Sequence, residues 1–172
     1  MLNISKLKKI DPNDSSLKII VPKNMGIYFW FKNETDELVY IGSGSGIKGL
    51  YNRIIGQHLN PKYIEYRAKV HNLEKDVYQL NHPIIRERDK APGIDQSAFR
   101  KNIGRTYKIK PGQGTVQFIK DTFYLKYLEV NKKEELISLE KELIFKFQPK
   151  LNISHKYKIS NRYKKNDQIL NE

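Results

Sequence analysis

The chain has 172 residues, no cysteine, and 32 Lys and Arg residues against 19 Asp and Glu, so its formal net charge is +13. This length fits one domain with its own core, and the lack of cysteine excludes disulfides and thiolate metal sites. The histidines (His58, His71, His82 and His155) lack zinc-ligand spacing, and we find neither a membrane-spanning run nor a signal-peptide stretch. We therefore expect a cytoplasmic protein without membrane contact, whose positive charge binds a polyanion.

A β-hairpin is predicted after an N-terminal arm that covers residues 1–24. Alternating side chains in residues 26–31 and 38–42 predict two strands, and the polar run between them predicts the loop. Pairing of Phe31 with Glu37 places Tyr28 opposite Tyr40.

The two faces of this hairpin differ in composition. Alternation predicts a core face made of four apolar residues: Ile27, Phe29, Val39 and Ile41. The other face carries both tyrosines, with Gly26 and Gly42 opposite each other beyond them, where a phosphate can approach the backbone. Alternatively, the tyrosines only cover the sheet, as strand tyrosines commonly do.

Residues 49–59 are predicted to form a helix after the loop 43–46. Its apolar stripe consists of Ile47, Leu50, Ile54 and Ile55. Arg53 lies away from this stripe. His58 lies on it, which favours a packed histidine unless Gly56 distorts the turn.

The middle of the chain is charged and contains many Gly and Pro residues. Short helices are predicted over residues 74–80 and 97–103, with loops at 91–93 and 111–114. Basic residues mixed with tyrosine and glutamine here are typical of nucleic-acid backbone contacts, although a solvated basic surface explains them equally well. A third strand over residues 122–130, a helix over Lys133–Phe147 and a loose tail from residue 159 follow.

An acidic residue on the apolar face of the last helix is the second informative feature. Its predicted buried stripe contains Leu136, Leu139, Leu143 and Phe147, flanked by Ile137 and Ile144. Glu140 falls within this stripe, whereas Glu134, Glu135 and Glu142 point elsewhere. A buried carboxylate costs several kcal/mol unless a cation, an arginine or protonation compensates for it. Glu140 therefore either holds a ligand or pairs with a basic residue at the edge of the core.

Together, these segments resemble the GIY-YIG nuclease superfamily. The shared pattern is Gly-Ile-Tyr, Tyr-Ile-Gly, Leu50-x-x-Arg53, Glu140-x-x-Leu143-Ile144 and Pro149-x-Leu151-Asn152. The resemblance implies an α+β fold, with a small three-stranded antiparallel sheet flanked by helices, in one domain over residues 1–172. The core would be 25–60 and 122–153, with a basic insertion at 61–121 and a tail at 154–172.

The resemblance also implies roles for the site residues. Tyr28 would activate the attacking water, Tyr40 would position the water or the phosphate, and Arg53 would bind the phosphate. Glu140 would hold one Mg²⁺ or Mn²⁺ ion, and Asn152 would brace the site. A hard cation of this kind takes oxygen ligands and often only one or two carboxylates.

Two positions depart from the pattern of this superfamily. Many members carry a histidine four residues after the arginine, whereas here Gln57 stands there and His58 comes fifth. A one-residue insertion around Gly56 would restore it, or tyrosine alone would serve as the base. Some members have a lysine after Tyr-Ile-Gly; here Ser43 stands there, and Lys48 is the nearest replacement.

The insertion adds roughly 50 residues to what ordinary connections require. We interpret it as a DNA-contacting element, and the candidate DNA-binding residues are Lys48, Arg86, Arg88, Arg100, Lys101, Arg105, Lys108 and Gln113. Without a tethered recognition domain, a type II restriction endonuclease is favoured over a homing, repair or single-strand-specific nuclease. A non-catalytic basic nucleic-acid-binding module remains an alternative. A palindromic site would require a homodimer on DNA or two successive nicks.

Overall fold

The computed structural model describes residues 3–66 and 93–156. Its strands are β1 (Gly26–Lys32), β2 (Leu38–Gly44), β3 (Ile64–Tyr66), β4 (Gly93–Asp95) and β5 (Phe123–Glu129). Its helices are α1 (Leu17–Ile20), α2 (Gly49–Tyr51), α3 (Ala98–Tyr107), α4 (Gln113–Thr122) and α5 (Lys133–Phe147), with a 3-10 helix at Ile4–Lys6 and a π-helix at Asn52–His58.

The main sheet confirms the predicted α+β fold class. Its three antiparallel strands lie in the order β2-β1-β5, and β3 pairs with β4 in a separate two-stranded sheet. The third strand and the last helix were both predicted, the helix with the same ends. Gln148 ends α5 in the left-handed conformation, and Pro149 follows it.

The predicted register of the hairpin is wrong by two residues. Tyr28 pairs with Gly42, and Tyr40 pairs with Trp30. One residue of the difference arises at the turn, where Phe31 pairs with Leu38. The other arises at a β-bulge, where the register shifts between Trp30 and Phe31.

Both faces of the sheet are buried, so the prediction of a single core face is incomplete. One face packs against α5 through a cluster that includes Ile27, Phe29, Ile41, Leu136, Leu143 and Ile144. The other face packs against the remaining helices through a cluster that includes Tyr28, Trp30, Val39, Tyr40, Leu50, Ile54, Phe99 and Ile119. Val39 lies in this second cluster and not with Ile41, because the bulge changes the alternation of β2.

The N-terminal arm packs onto the domain. Ile10 forms a β-bridge with Leu125, and Leu17 and Val21 are buried. The ammonium of Lys126 donates hydrogen bonds to the carbonyls of Ile4, at 3.3 Å, and Ser5, at 3.0 Å. The arm therefore covers part of the sheet.

The insertion contributes to the core as well as to the surface. The helix predicted at 97–103 is present as α3, whereas α4 was missed because Pro111 to Gly114 resembled a loop. Phe99, Ile103 and Ile119 from these helices are fully buried. The helix predicted at 74–80 and the tail from residue 159 lie outside the described residues. Within the described ranges, no helix has the length and hydropathy needed to cross a membrane.

Candidate active site

Tyr28 and Tyr40 stack over a glycine on the face of the hairpin that packs against α3 and the π-helix. Their ring centroids are 6.3 Å apart, with an interplanar angle of 28°. A Cβ atom on Gly42 would overlap the hydroxyl of Tyr28 and press on the ring of Tyr40. The glycine of Tyr-Ile-Gly is therefore required because the two phenols occupy the space of its missing side chain.

The two tyrosines differ in access. Tyr28 has no accessible surface, whereas Tyr40 lines a cavity of about 480 Å³ together with Glu140 and Asn152. Burial raises the pKa of Tyr28 well above its usual range, and burial raises the pKa of Tyr40 to about 12, against the opposing charge of Arg53. Both phenols are therefore protonated at neutral pH, and either needs a proton acceptor to act as a base.

A π-helix brings His58 to Tyr28. In the Asn52–His58 segment, hydrogen bonds span five residues, as from the Leu59 amide to the Ile54 carbonyl at 2.9 Å. This winding holds one more residue per turn than an α-helix, so Arg53 and His58 share a face. The expected extra residue around Gly56 is therefore present as a π-helical turn.

The imidazole of His58 is buried between two hydroxyl groups. Its Nε2 lies 2.6 Å from the hydroxyl of Tyr28, and its Nδ1 lies 2.7 Å from Oγ of Ser97. Burial lowers the pKa of His58 well below its usual range, and the charges of Arg53 and Arg100 lower it further. The ring is therefore neutral, with one nitrogen able to accept a proton. Sequence reasoning missed Ser97, which lies 39 residues from His58.

Arg53 carries a hydrogen-bond donor without a partner. Its Nη1 donates to Oε1 of Gln57 at 2.7 Å, whereas its Nε is buried and has no partner in the described part of the chain. Arg53 also lines a cavity of about 230 Å³ beside Ser43 and the glycine-containing turn that follows it. An unsatisfied guanidinium donor at a cavity fits an oxygen ligand such as a phosphate.

Glu140 lies at the edge of the core. Its Oε2 accepts a hydrogen bond of 2.6 Å from Oγ of Ser43, and within the described ranges it has no ion-pair partner. The alternative of a structural ion pair therefore finds no support there. The apolar stripe of α5 is narrower than predicted, because Ile137 and Phe147 are exposed.

Ser43 makes a contact that the sequence did not indicate. It stands where some relatives have a lysine, and its hydroxyl orients the carboxylate of Glu140. The suggested replacement, Lys48, is exposed and lines neither of the two cavities.

Glu140 is the residue here that fits a metal ion. In residues 3–66 and 93–156, no group of three or more His, Asp or Glu side chains could hold one. A partly buried carboxylate that has no cationic partner in the described ranges suits an ion that takes one protein oxygen and keeps its waters, as Mg²⁺ does.

Asn152 joins the segment after α5 to the middle of β2. Its Oδ1 accepts from the amide of Ile41 at 2.9 Å, and its Nδ2 donates to the carbonyl of Ile41 at 2.8 Å. The side chain thus pairs with the backbone next to Tyr40, which is the geometry expected of a bracing residue.

Arg100 requires a correction. The sequence suggested a DNA contact, but its side chain has no accessible surface and forms an ion pair with the equally buried Asp95. It also donates to the carbonyls of Gln57 and Asn60, at the end of the π-helix, and to Thr115. A side chain enclosed in this way has a structural role and cannot touch a phosphate.

The other candidate DNA-binding residues fall into three groups. Lys101 and Arg105, one helical turn apart on α3, line the cavity that contains Glu140. Lys48, Lys108 and Gln113 are exposed but do not line this cavity. Arg86 and Arg88 lie outside the described residues.

Comparison with known proteins identifies the family. The family model described as the GIY-YIG catalytic domain matches residues 7–170. No curated protein and no solved structure shows significant similarity to the chain. The match spans nearly the whole sequence and includes every site residue above. The chain therefore belongs to the GIY-YIG nuclease superfamily.

Proposed function

We propose that the protein is a metal-dependent DNA endonuclease that hydrolyses phosphodiester bonds, in the form of a sequence-specific restriction enzyme. One observation carries the proposal. Glu140, a carboxylate without an ion-pair partner among residues 3–66 and 93–156, lines one cavity with Tyr40. It is hydrogen-bonded to Ser43, which lines a second cavity with Arg53. The carboxylate of Glu140, which could bind a metal ion, and the guanidinium of Arg53, which could bind a phosphate, thus lie on either side of the hydrogen bond between Ser43 and Glu140.

Arg53 would bind the scissile phosphate. Its free Nε donor would gain a phosphate oxygen as its partner, and its charge would stabilise the negative charge that develops during attack. The contact of Arg53 with Gln57 restricts the guanidinium before substrate arrives.

The tyrosines and His58 would handle the proton. Tyr40, which faces the cavity, would orient the attacking water. Tyr28 stands behind it and shares a hydrogen bond with His58, whose neutral Nε2 is the acceptor available to a phenol that burial keeps protonated. We therefore assign His58 as the final proton acceptor.

Glu140 would hold a Mg²⁺ or Mn²⁺ ion, with Ser43 fixing one of its oxygens. When bound, such an ion acidifies a water molecule and neutralises charge on the phosphate. Asn152 would keep β2 and the segment after α5 together around this ligand.

The positive charge of the chain would hold the DNA. Lys101 and Arg105 extend the cavity beyond Glu140, so phosphates next to the scissile one would contact α3. α3 belongs to the insertion and packs against the core. We therefore propose that DNA recognition by the insertion and cleavage by the core take place in one domain. A palindromic target would then be cut by a homodimer or by two successive nicks.

Cleavage assays on plasmid and single-stranded DNA test this proposal. We expect cuts with Mg²⁺ or Mn²⁺ that EDTA abolishes, and a fixed set of fragments from one defined DNA. Glu140→Ala should abolish cleavage with little loss of DNA binding, whereas Glu142→Ala, on an exposed face of the same helix, should not. Cleavage that persists in Glu140→Ala would refute the metal assignment, and cuts that follow DNA form and not sequence would refute restriction.

A further inference from the structure

Ser97 contacts the candidate proton acceptor from outside the family motif. It precedes α3, is 2% exposed, and places its Oγ 2.7 Å from Nδ1 of His58. The other nitrogen of the ring faces Tyr28 at 2.6 Å. The imidazole is therefore held at both ends, and the partner of Nδ1 decides which nitrogen carries the proton.

The donors around the two hydroxyl groups favour one arrangement. The positive charge of Arg53 favours negative charge on the oxygen of Tyr28, so the phenol is the donor and its proton is directed to Nε2 of His58, 2.6 Å away. At the other end, the Arg100 amide donates to Oγ of Ser97 at 3.3 Å, and the second lone pair of this oxygen can accept from Nδ1.

The position of Ser97 is fixed by a buried cluster. Asp95 and Arg100, on either side of Ser97 in the sequence, form an ion pair with no exposed side-chain surface. Arg100 also binds the Gln57 and Asn60 carbonyls at the end of the π-helix, where helical carbonyls lack partners within the helix. The same guanidinium thus ties the segment that carries Ser97 to the segment that carries His58.

We propose that Ser97 is a positioning residue that accepts a hydrogen bond from Nδ1–H of His58 and so keeps Nε2 free for the proton of Tyr28. In the reaction, the O–H bond of Tyr28 breaks and an N–H bond forms at Nε2, as the phenol oxygen takes a proton from the attacking water and leaves hydroxide to attack the phosphorus. The proton on Nδ1 stays in place. Ser97 neither gains nor loses a proton. This inference rests on the proposed function.

Nitrogen-15 NMR of the imidazole in the free wild-type protein tests the tautomer without substrate. The His58 signals are assigned by their absence in His58→Gln. We expect Nδ1 to be protonated and Nε2 to be unprotonated. A wild-type spectrum with the proton on Nε2 overturns the proposal.

Kinetics with Ser97→Ala and Ser97→Thr complete the test. Ser97→Ala should give a mixture of tautomers and lower kcat by about tenfold, a part of the ~10²–10⁴ that an acid–base group contributes, with unchanged DNA affinity. Ser97→Thr, which keeps the hydroxyl and the helix cap, should restore both the spectrum and the rate. A Ser97→Ala variant that loses only thermal stability overturns the proposal. A wild type that cuts no DNA refutes the proposed function instead, and the tautomer is still measured.

Discussion

Arg100 and Arg53 lie close to the end of the same π-helix or within it, and their surroundings differ. Arg100 has protein partners for its Nε, Nη1 and Nη2 atoms and pairs with Asp95. Arg53 lines a cavity, and its Nε has no partner within the part of the chain that the structure describes. The first cation satisfies its donors within the fold, whereas the second keeps a donor for a ligand. An unsatisfied donor, and not burial or charge alone, is therefore the property that makes Arg53 the candidate for phosphate binding.

Removal of Arg100 is expected to have the largest effect of the changes considered, and this effect is a loss of stability. Arg100→Met removes the cation that pairs with the buried Asp95 and should lower the free energy of unfolding by about 3–5 kcal/mol. Urea unfolding measures this, with exposed Lys110→Met as the control. The double variant Asp95→Ala/Arg100→Met should recover part of the loss. If Arg100→Met were as stable as the wild type, the structural role of Arg100 would be contradicted.

Removal of Arg53 should instead affect the reaction. Arg53→Ala should lower kcat by about 10²–10³-fold, because the phosphate loses a charged donor aimed at it. The free energy of unfolding should fall by less than in Arg100→Met, since Arg53 is only half-buried and donates to Gln57 and not to a buried carboxylate. Single-turnover cleavage and urea unfolding measured on the same preparation decide the matter. A large loss of stability with normal cleavage would reverse the comparison between the two arginines.

Gly42→Ala should damage the site through its tyrosines. The new methyl group would displace the hydroxyl of Tyr28 and break its contact with His58. We expect at least a tenfold loss of kcat, a part of the roughly 10²–10⁴ that an acid–base group contributes. Gly114→Ala is the matched control, because a Cβ atom there makes only ordinary contacts, at 3.4 and 3.7 Å, and the residue lines neither cavity. Equal cleavage by the two variants would show that the stacked phenols tolerate displacement.

Lys101→Ala and Arg105→Ala test the DNA path with a smaller effect. Each should weaken binding and reduce the slope of log affinity against log salt by about 1, as expected for one phosphate contact. Fluorescence anisotropy over a salt series measures this, and Lys110→Ala, exposed and away from the cavity, is the control. An unchanged slope in both variants would place the DNA elsewhere.

The smallest predicted effect concerns pH. Because the folded state holds the pKa of His58 below its usual 6.5, the unfolded chain takes up a proton first as the pH falls. Stability should therefore be fully present above about pH 6.5 and decrease below it, by at most ~1.4 kcal/mol per pH unit. Urea unfolding from pH 7.5 to 5 measures this slope. His58→Gln should flatten it, whereas substitution of exposed His155 should not.

The fold and the family-pattern residues were predictable because their signals are local. Strand alternation around Tyr28, helical periodicity in Lys133–Phe147 and the misplaced acid Glu140 each arise within one element. The bulge that moves Val39 has no such signal, since it depends on pairing across the hairpin.

The supporting contacts were unpredictable because they join distant parts of the chain. Ser43 meets Glu140 from 97 residues away, and Arg100 reaches the carbonyl of Gln57 across 43 residues. A basic residue in a basic segment gives no indication that its partner is a buried aspartate. Only the packing of α3 against the π-helix separates Arg100 from its neighbour Lys101.

The π-helix has a consequence for how such sites are found. One extra residue, accommodated as a bulge in the winding, preserves the placement of His58 over Tyr28 while changing its distance from Arg53 along the sequence. Searches that require a fixed interval between the two residues would discard this chain. A search that accepts an interval of four residues, or of five with a π-helical turn, would retain both kinds of sequence. Deletion of Gly56 should convert the interval of five in this chain into an interval of four.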